Sequence, residues 1–242
     1  MKTKKLLLLL IFIGFWSNAQ VLDEYPQGQY FYEGGVEQFY KEVNEYLVSS
    51  NFKECDSKEI YQPRIIVTKD AEIKIIKDGD EDYIAKNKCT YDASVAILKN
   101  LKGWKPAQIH DKNIGAISEF LLNVKDVMSN YKPNYNPHNY IIPAQYPKGF
   151  KAFDKDFHDN FMALFQDYGI NGNVNLEFYI SREGKIINAR MYPTMMNQDF
   201  NKDFMRSLAR LKKVWKPALY SNMPIKERIA FPVGFSTRYT PQ

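Results

Sequence analysis

The sequence predicts an α+β fold of two tandem small domains, each a short antiparallel sheet with two helices packed on one face. Three recurring blocks carry that expectation. Trp104-Lys105-Pro106-Ala107 returns as Trp215-Lys216-Pro217-Ala218. Thr68-Lys69-Asp70-Ala71-Glu72-Ile73 is echoed by Ser181-Arg182-Glu183-Gly184-Lys185-Ile186. Tyr32-Glu33-Gly34-Gly35 with Phe39 is echoed by Tyr146-Pro147-Lys148-Gly149 with Phe153. The offsets are 111, 113 and 114 residues, in one collinear order, so they point to a duplication. That period is too long for a solenoid repeat and suits domains of ordinary size.

The second copy gives the plainer pattern. Phe150, Phe153, Phe157, Phe161 and Leu164 fall at helical spacing with charged residues between them, an amphipathic helix whose aromatic stripe is core. Val174, Leu176, Phe178 and Ile180 alternate with Asn175, Glu177 and Tyr179, as in a half-buried strand. Arg182-Glu183-Gly184 is a turn in which Gly184 supplies a positive φ, and Lys185 to Met191 is the returning strand. Phe204, Leu208 and Leu211 mark a second helix ending before Trp215 and Pro217. Ile229, Phe231, Val233 and Phe235 form the last strand.

The first copy repeats that order. Val36, Phe39, Tyr40, Val43 and Leu47 give its first helix, and 64–67 with 72–76 its hairpin. Val95 and Leu98 lie in the second helix, and 114–122 is the closing strand. The domains span 21–128 and 146–242. Between them, 129–145 is rich in Pro, Tyr and Asn and predicts an extended, semi-stiff connector.

Residues 1–20 have the form of a signal peptide: Lys2, Lys4 and Lys5, an apolar run from Leu6 to Trp16, then Ser17-Asn18-Ala19-Gln20. Eleven apolar residues fall short of the ~20 that span a bilayer. No later segment reads as a membrane span. The expected location is periplasmic. The full chain carries a net charge of +5, and three of those charges are the leader's lysines. The remaining basic residues are scattered among acids, which argues against a nucleic-acid partner. In an exported chain Cys55 and Cys89 suggest a disulfide, with two buried thiols as the other reading.

No catalytic, metal or cofactor set is evident, and the expectation is a protein that is not an enzyme. His110, His138 and His158 lie near no recognisable nucleophile. The acidic run Asp78 to Asp82 lacks the spacing of a calcium loop and reads as a solvated turn. Trp104 and Trp215, each two residues before Pro106 or Pro217, read as packing anchors with Gly184, or else as ligand-stacking rings.

The second copy resembles the C-terminal domain of TonB energy-transducing proteins. The resemblance rests on Gly169-Ile170-Asn171-Gly172-Asn173-Val174, Glu183-Gly184-Lys185-Ile186, Trp215-Lys216-Pro217-Ala218 and Phe231-Pro232-Val233-Gly234-Phe235. It covers about 90 residues, and the first copy resembles a divergent version. Where that family has Tyr-Pro-x-x-Ala, this chain has Gln166-Asp167-Tyr168, and it lacks the family's long Pro-rich span. The resemblance implies a periplasmic interaction module whose last strand accepts an extended peptide. The partner would be a protein or peptide of the cell envelope, such as an outer-membrane receptor, with dimerisation through the same edge also open. The residues implicated are Ile229, Phe231, Val233, Phe235 and Thr237. Pro232 removes one N–H from that row and either tunes the edge or blocks it. The alternative function is a scaffold holding cell-wall glycan or a small ligand between the domains, using Tyr135 and Tyr140 of the connector.

Overall fold

The computed structural model describes residues 21–164 and 171–235. The leader, residues 166–170 of the family-like motifs and Thr237 lie outside the described residues. The fold class is α+β, as the sequence predicts. The first half contains β1 (Val21–Leu22), α1 (Gly35–Ser49), β2 (Arg64–Val67), β3 (Ile73–Ile76), α2 (Glu81–Lys86), α3 (Lys88–Asn100), β4 (Ala107–Ile109), β5 (Lys112–Glu119) and α4 (Val124–Met128). The second contains β6 (Ile141–Ile142), α5 (Phe150–Met162), β7 (Gly172–Ile180), β8 (Ile186–Tyr192), α6 (Gln198–Ala209), β9 (Ala218–Tyr220), β10 (Met223–Ile225) and β11 (Glu227–Phe235).

Each half places its first hairpin strand in the centre of a sheet. In the first half the order is β1-β5-β2-β3, with β4 also paired to β5. In the second it is β11-β7-β8. The helices supply the apolar layer over these sheets. Phe39, Tyr40, Val43 and Leu47 of α1 share a core with Ile65 and Val67 of β2. Phe153, Phe157 and Phe161 of α5 share another with Phe200 and Phe204 of α6 and with Val174, Leu176, Phe178 and Ile180 of β7. The alternation in β7 thus buries one face, as period-2 patterning requires. A third core of Ile60, Leu121, Ala218, Tyr220 and Ile225 joins the two halves.

The recurring blocks share backbone geometry at the level of single bonds. Gly34 and Gly35 have φ of 75° and 81°, and Lys148 and Gly149 have 69° and 85°. The Gly35 and Gly149 amides donate to Tyr32 and Tyr146 carbonyls at 3.0 and 2.8 Å. In the hairpin turns, Ala71 and Gly184 both have positive φ, 62° and 76°, and both donate back three residues, to Thr68 and Ser181. His110-Asp111 and Ser221-Asn222 occupy matching left-handed turns in the β4–β5 and β9–β10 hairpins.

The structure departs from the sequence reading where pairing is short or remote. The closing strand, expected over 114–122, begins at Lys112 and ends at Glu119. Phe120 to Leu122 turn into the core, and Leu122 bridges back to Tyr61. The connector is more than a spacer. A 3-10 turn at Pro137–Tyr140 is capped by the Asn136 side chain, and β6 pairs antiparallel with β9. The acidic run is likewise not a solvated turn. Asp80 caps α2 and meets Arg182 at 3.3 Å, while Asp78 faces Lys226 at 3.6 Å, so both carboxylates cross to the second half.

Candidate functional site

The outer edge of the second sheet is formed by β11. β11 pairs antiparallel with β7 along its whole length, from Glu227↔Ile180 to Phe235↔Gly172. Among the described residues its other side pairs with no strand. The side chains sort by face. Ile229, Phe231, Val233 and Phe235 pack on the helical core, with Phe231 5.2 Å from Phe150 and Phe235 5.0 Å from Phe200 between ring centroids. Ala230, Pro232 and Gly234, all small, are exposed on the opposite face. The four apolar residues singled out from the sequence therefore hold the strand in place. What the strand presents outward is its backbone and a low, small-residue surface.

In the first half the start of the same edge is occupied by an added strand. Val21 and Leu22 add to β5 in parallel, opposite Gly115 and Ala116, on the side away from β2. The repeat offset of 111 sets Gly115 and Ala116 level with Lys226 and Glu227. There the second half is closed from within. The Gln62 side-chain amide donates to the Lys226 carbonyl at 2.8 Å and accepts from its N–H at 2.9 Å, mimicking a strand residue. The Glu227 carboxylate accepts the Ala144 N–H at 2.6 Å. Beyond Glu227 the edge is open through Phe235 among the described residues.

On the sheet face away from the helices, Glu177 of β7 receives Arg190 and Arg228, at 2.5 and 2.8 Å. These arginines also meet Asp23 and Glu24 of the N-terminal segment. That segment therefore runs from the first sheet's edge onto the second sheet's face and fixes β8 and β11 against the first half.

The tryptophans have matching surroundings. Trp104 lies 5.3 Å from Tyr32 and 5.7 Å from Phe39, and Trp215 lies 5.2 Å from Tyr146 and 5.3 Å from Phe153. Tyr32 donates to Glu42 and Tyr146 to Asp156, each ten residues on. Trp104 and Trp215 are buried, and Pro106 and Pro217 are half-buried beside them. One difference stands out: the Trp104 indole donates to the Leu101 carbonyl at 2.9 Å, whereas the Trp215 indole N–H has no acceptor among the described residues. Gly184 sits against the second anchor. A Cβ there would lie 2.0 Å from the Trp215 carbonyl oxygen.

Cys55 and Cys89 stand at disulfide distance, S–S 2.01 Å, and tie the loop before β2 to α3. Tyr135 is buried, its hydroxyl 2.7 Å from that of Tyr220, which donates to Asp126, while Tyr140 is exposed. Burial pushes the Tyr135 and Tyr220 hydroxyls well above the ordinary phenol range. His138 sits exposed in the 3-10 turn, where partial desolvation by its neighbours pulls its imidazole below the ordinary range. His158 is exposed, 3.7 Å from Asp159. The three histidines stand apart, each on a different element. Among the described residues no helix is long and apolar enough to cross a membrane. No family model, no curated protein and no solved structure matches the chain.

Proposed function

We propose that this is an exported, non-enzymatic interaction protein of the cell envelope, and that it recognises an extended segment of a protein partner by strand addition along β11. Two TonB-C-terminal-like domains form its scaffold. The single observation that supports the reading best is that β11 is closed only at its start, at Lys226 and Glu227, and runs open from Arg228 to Phe235 among the described residues. An unpaired row of N–H and C=O groups is a template for an incoming strand. Exposed Ala230 and Gly234 leave room for a second backbone, and aromatic packing behind Phe231 and Phe235 keeps the edge rigid. Pro232 breaks the row of donors at one point, which favours a partner of limited register over indiscriminate pairing. A pair of cysteines at disulfide distance suits an oxidising compartment.

The test places a photo-crosslinking residue at Ala230 and recovers the conjugate from envelope extracts. The complex made with the unmodified chain is then followed by amide hydrogen exchange. Slowed exchange confined to β11 supports strand addition. A complex in which β11 exchanges as in the free protein refutes it.

A further inference from the structure

A second feature lies between the halves. A cavity of about 170 Å³ opens where the end of β3 and the face of β2 meet the β7–β8 hairpin. Arg64, Lys77 and Lys226 line it together with Asp78 and Glu119, so three cations face two carboxylates and the lining carries one net positive charge. These charges are poorly matched to one another. Arg64 Nε lies 4.0 Å from Glu119, too far for a hydrogen bond, and it is sealed from solvent without an acceptor among the described residues. Lys226 stands 3.6 Å from Asp78, again beyond direct bonding. Lys77 makes no ion pair among the described residues.

The walls are shaped as well as charged. Between Glu177 and Tyr179 the β7–β8 register shifts, and Asn188 on the bulged strand takes a left-handed φ of 51° and lines the cavity. Bulges commonly re-aim a side chain in this way, and asparagine is one of the residues that adopts the left-handed region most readily. Tyr179 lies under the Arg64 guanidinium at 5.3 Å, and with Tyr61 and Ile76 it supplies apolar surface.

The geometry points to a binding site for a small organic monocarboxylate, its carboxylate on Arg64 and Lys77 and its apolar body on Tyr179 and Ile76. The Arg64 side chain remains 35% exposed although its Nε is sealed, and a guanidinium suits a planar carboxylate better than any neutral acceptor. A dianion such as phosphate would bring a second charge against Asp78 and Glu119. Burial holds the Glu119 carboxyl above its ordinary range, against the lowering effect of Arg64. Because both halves contribute lining residues, an occupant would also strengthen the contact between them.

The experiment is calorimetric titration of the full chain at low ionic strength with benzoate, with benzamide as its neutral counterpart and inorganic phosphate as the dianion. Benzoate should bind at least about tenfold more tightly than either. Arg64→Gln should weaken benzoate by about tenfold or more. Lys77→Gln, at an exposed position, should keep the fold and weaken benzoate by about threefold, as expected for one solvent-facing charge. Absence of benzoate binding, equal binding of benzamide or phosphate, or undiminished affinity in Lys77→Gln would each overturn the assignment. None of these outcomes bears on β11, so the site and the edge stand or fall separately.

Discussion

Gly184→Ala should be among the most damaging single-methyl changes this protein can suffer. The turn holds Gly184 at φ 76°, and its added Cβ would lie 2.0 Å from the Trp215 carbonyl oxygen, where the neighbour is backbone. Left-handed strain in a non-glycine residue costs about 1–3 kcal/mol. Relieving the clash means withdrawing the Trp215 main chain and so losing its N–H donation to the Gly184 carbonyl, now 3.0 Å, a further loss of about 1 kcal/mol. The expected total is about 3 kcal/mol, which for a chain of this size lowers Tm by about 6–12 °C. Ala71, at the equivalent turn with φ 62°, provides the control. Ala71→Gly relieves strain but loosens the unfolded chain, and it should change stability by less than about 1 kcal/mol, toward stabilisation. Thermal and urea unfolding of the two variants decide the matter. A Gly184→Ala loss below about 1 kcal/mol would refute the claimed coupling between turn and tryptophan.

Trp215→Ala removes the ring at the centre of the Tyr146, Phe153 and Phe178 cluster and should cost ~3–5 kcal/mol; a stable variant with altered binding would favour a ligand-stacking role instead. Because the Trp215 indole N–H lacks an acceptor while that of Trp104 has one, Trp104→Phe should cost more than Trp215→Phe by about 1 kcal/mol in urea unfolding. Replacing Cys55 and Cys89 by serine opens a link across 34 residues and should lower stability by about 4 kcal/mol, and reductant should do the same to the parent chain. Glu119 binds its proton more tightly folded than unfolded, because burial raises it. Its contribution is therefore favourable when protonated and declines as pH rises from the ordinary carboxylate range through the raised value. Glu119→Gln should flatten that part of the stability–pH curve; an unchanged profile would contradict the burial argument.

Much of the fold was legible because its signals are local. The aromatic stripe of α5 needs only a spacing of three and four, and β7 needs only alternation, so Phe153, Phe157, Val174 and Phe178 were assignable as core. The repeat supplied more than periodicity could. It matched Ala71 to Gly184 and Trp104 to Trp215, and these residues share backbone conformation or surroundings. By contrast β1, β4, β6, β9 and β10 are two or three residues long. Such strands carry no period, and they exist because a remote segment supplies their partner. The acidic run misled for a similar reason: composition cannot show that Asp78 and Asp80 face Lys226 and Arg182, more than 100 residues away. The alternation from Ile229 to Phe235 marks a strand, but it does not say which side the helices cover.

The sequence alone determined the α+β class, the recurrence of three blocks, the turn at Gly184 and the pair of cysteines, since each follows from spacing, chirality or chemistry within one stretch of chain. Tertiary structure alone decided that Val21 and Leu22 cover the start of one sheet edge, that Gln62 closes the matching start of β11 and leaves the rest unpaired among the described residues, and that Arg64 meets Tyr179 across a cavity. Those outcomes depend on which distant groups arrive at the same place, and a hydrogen-bond donor or a charge has no partner until folding brings one to it.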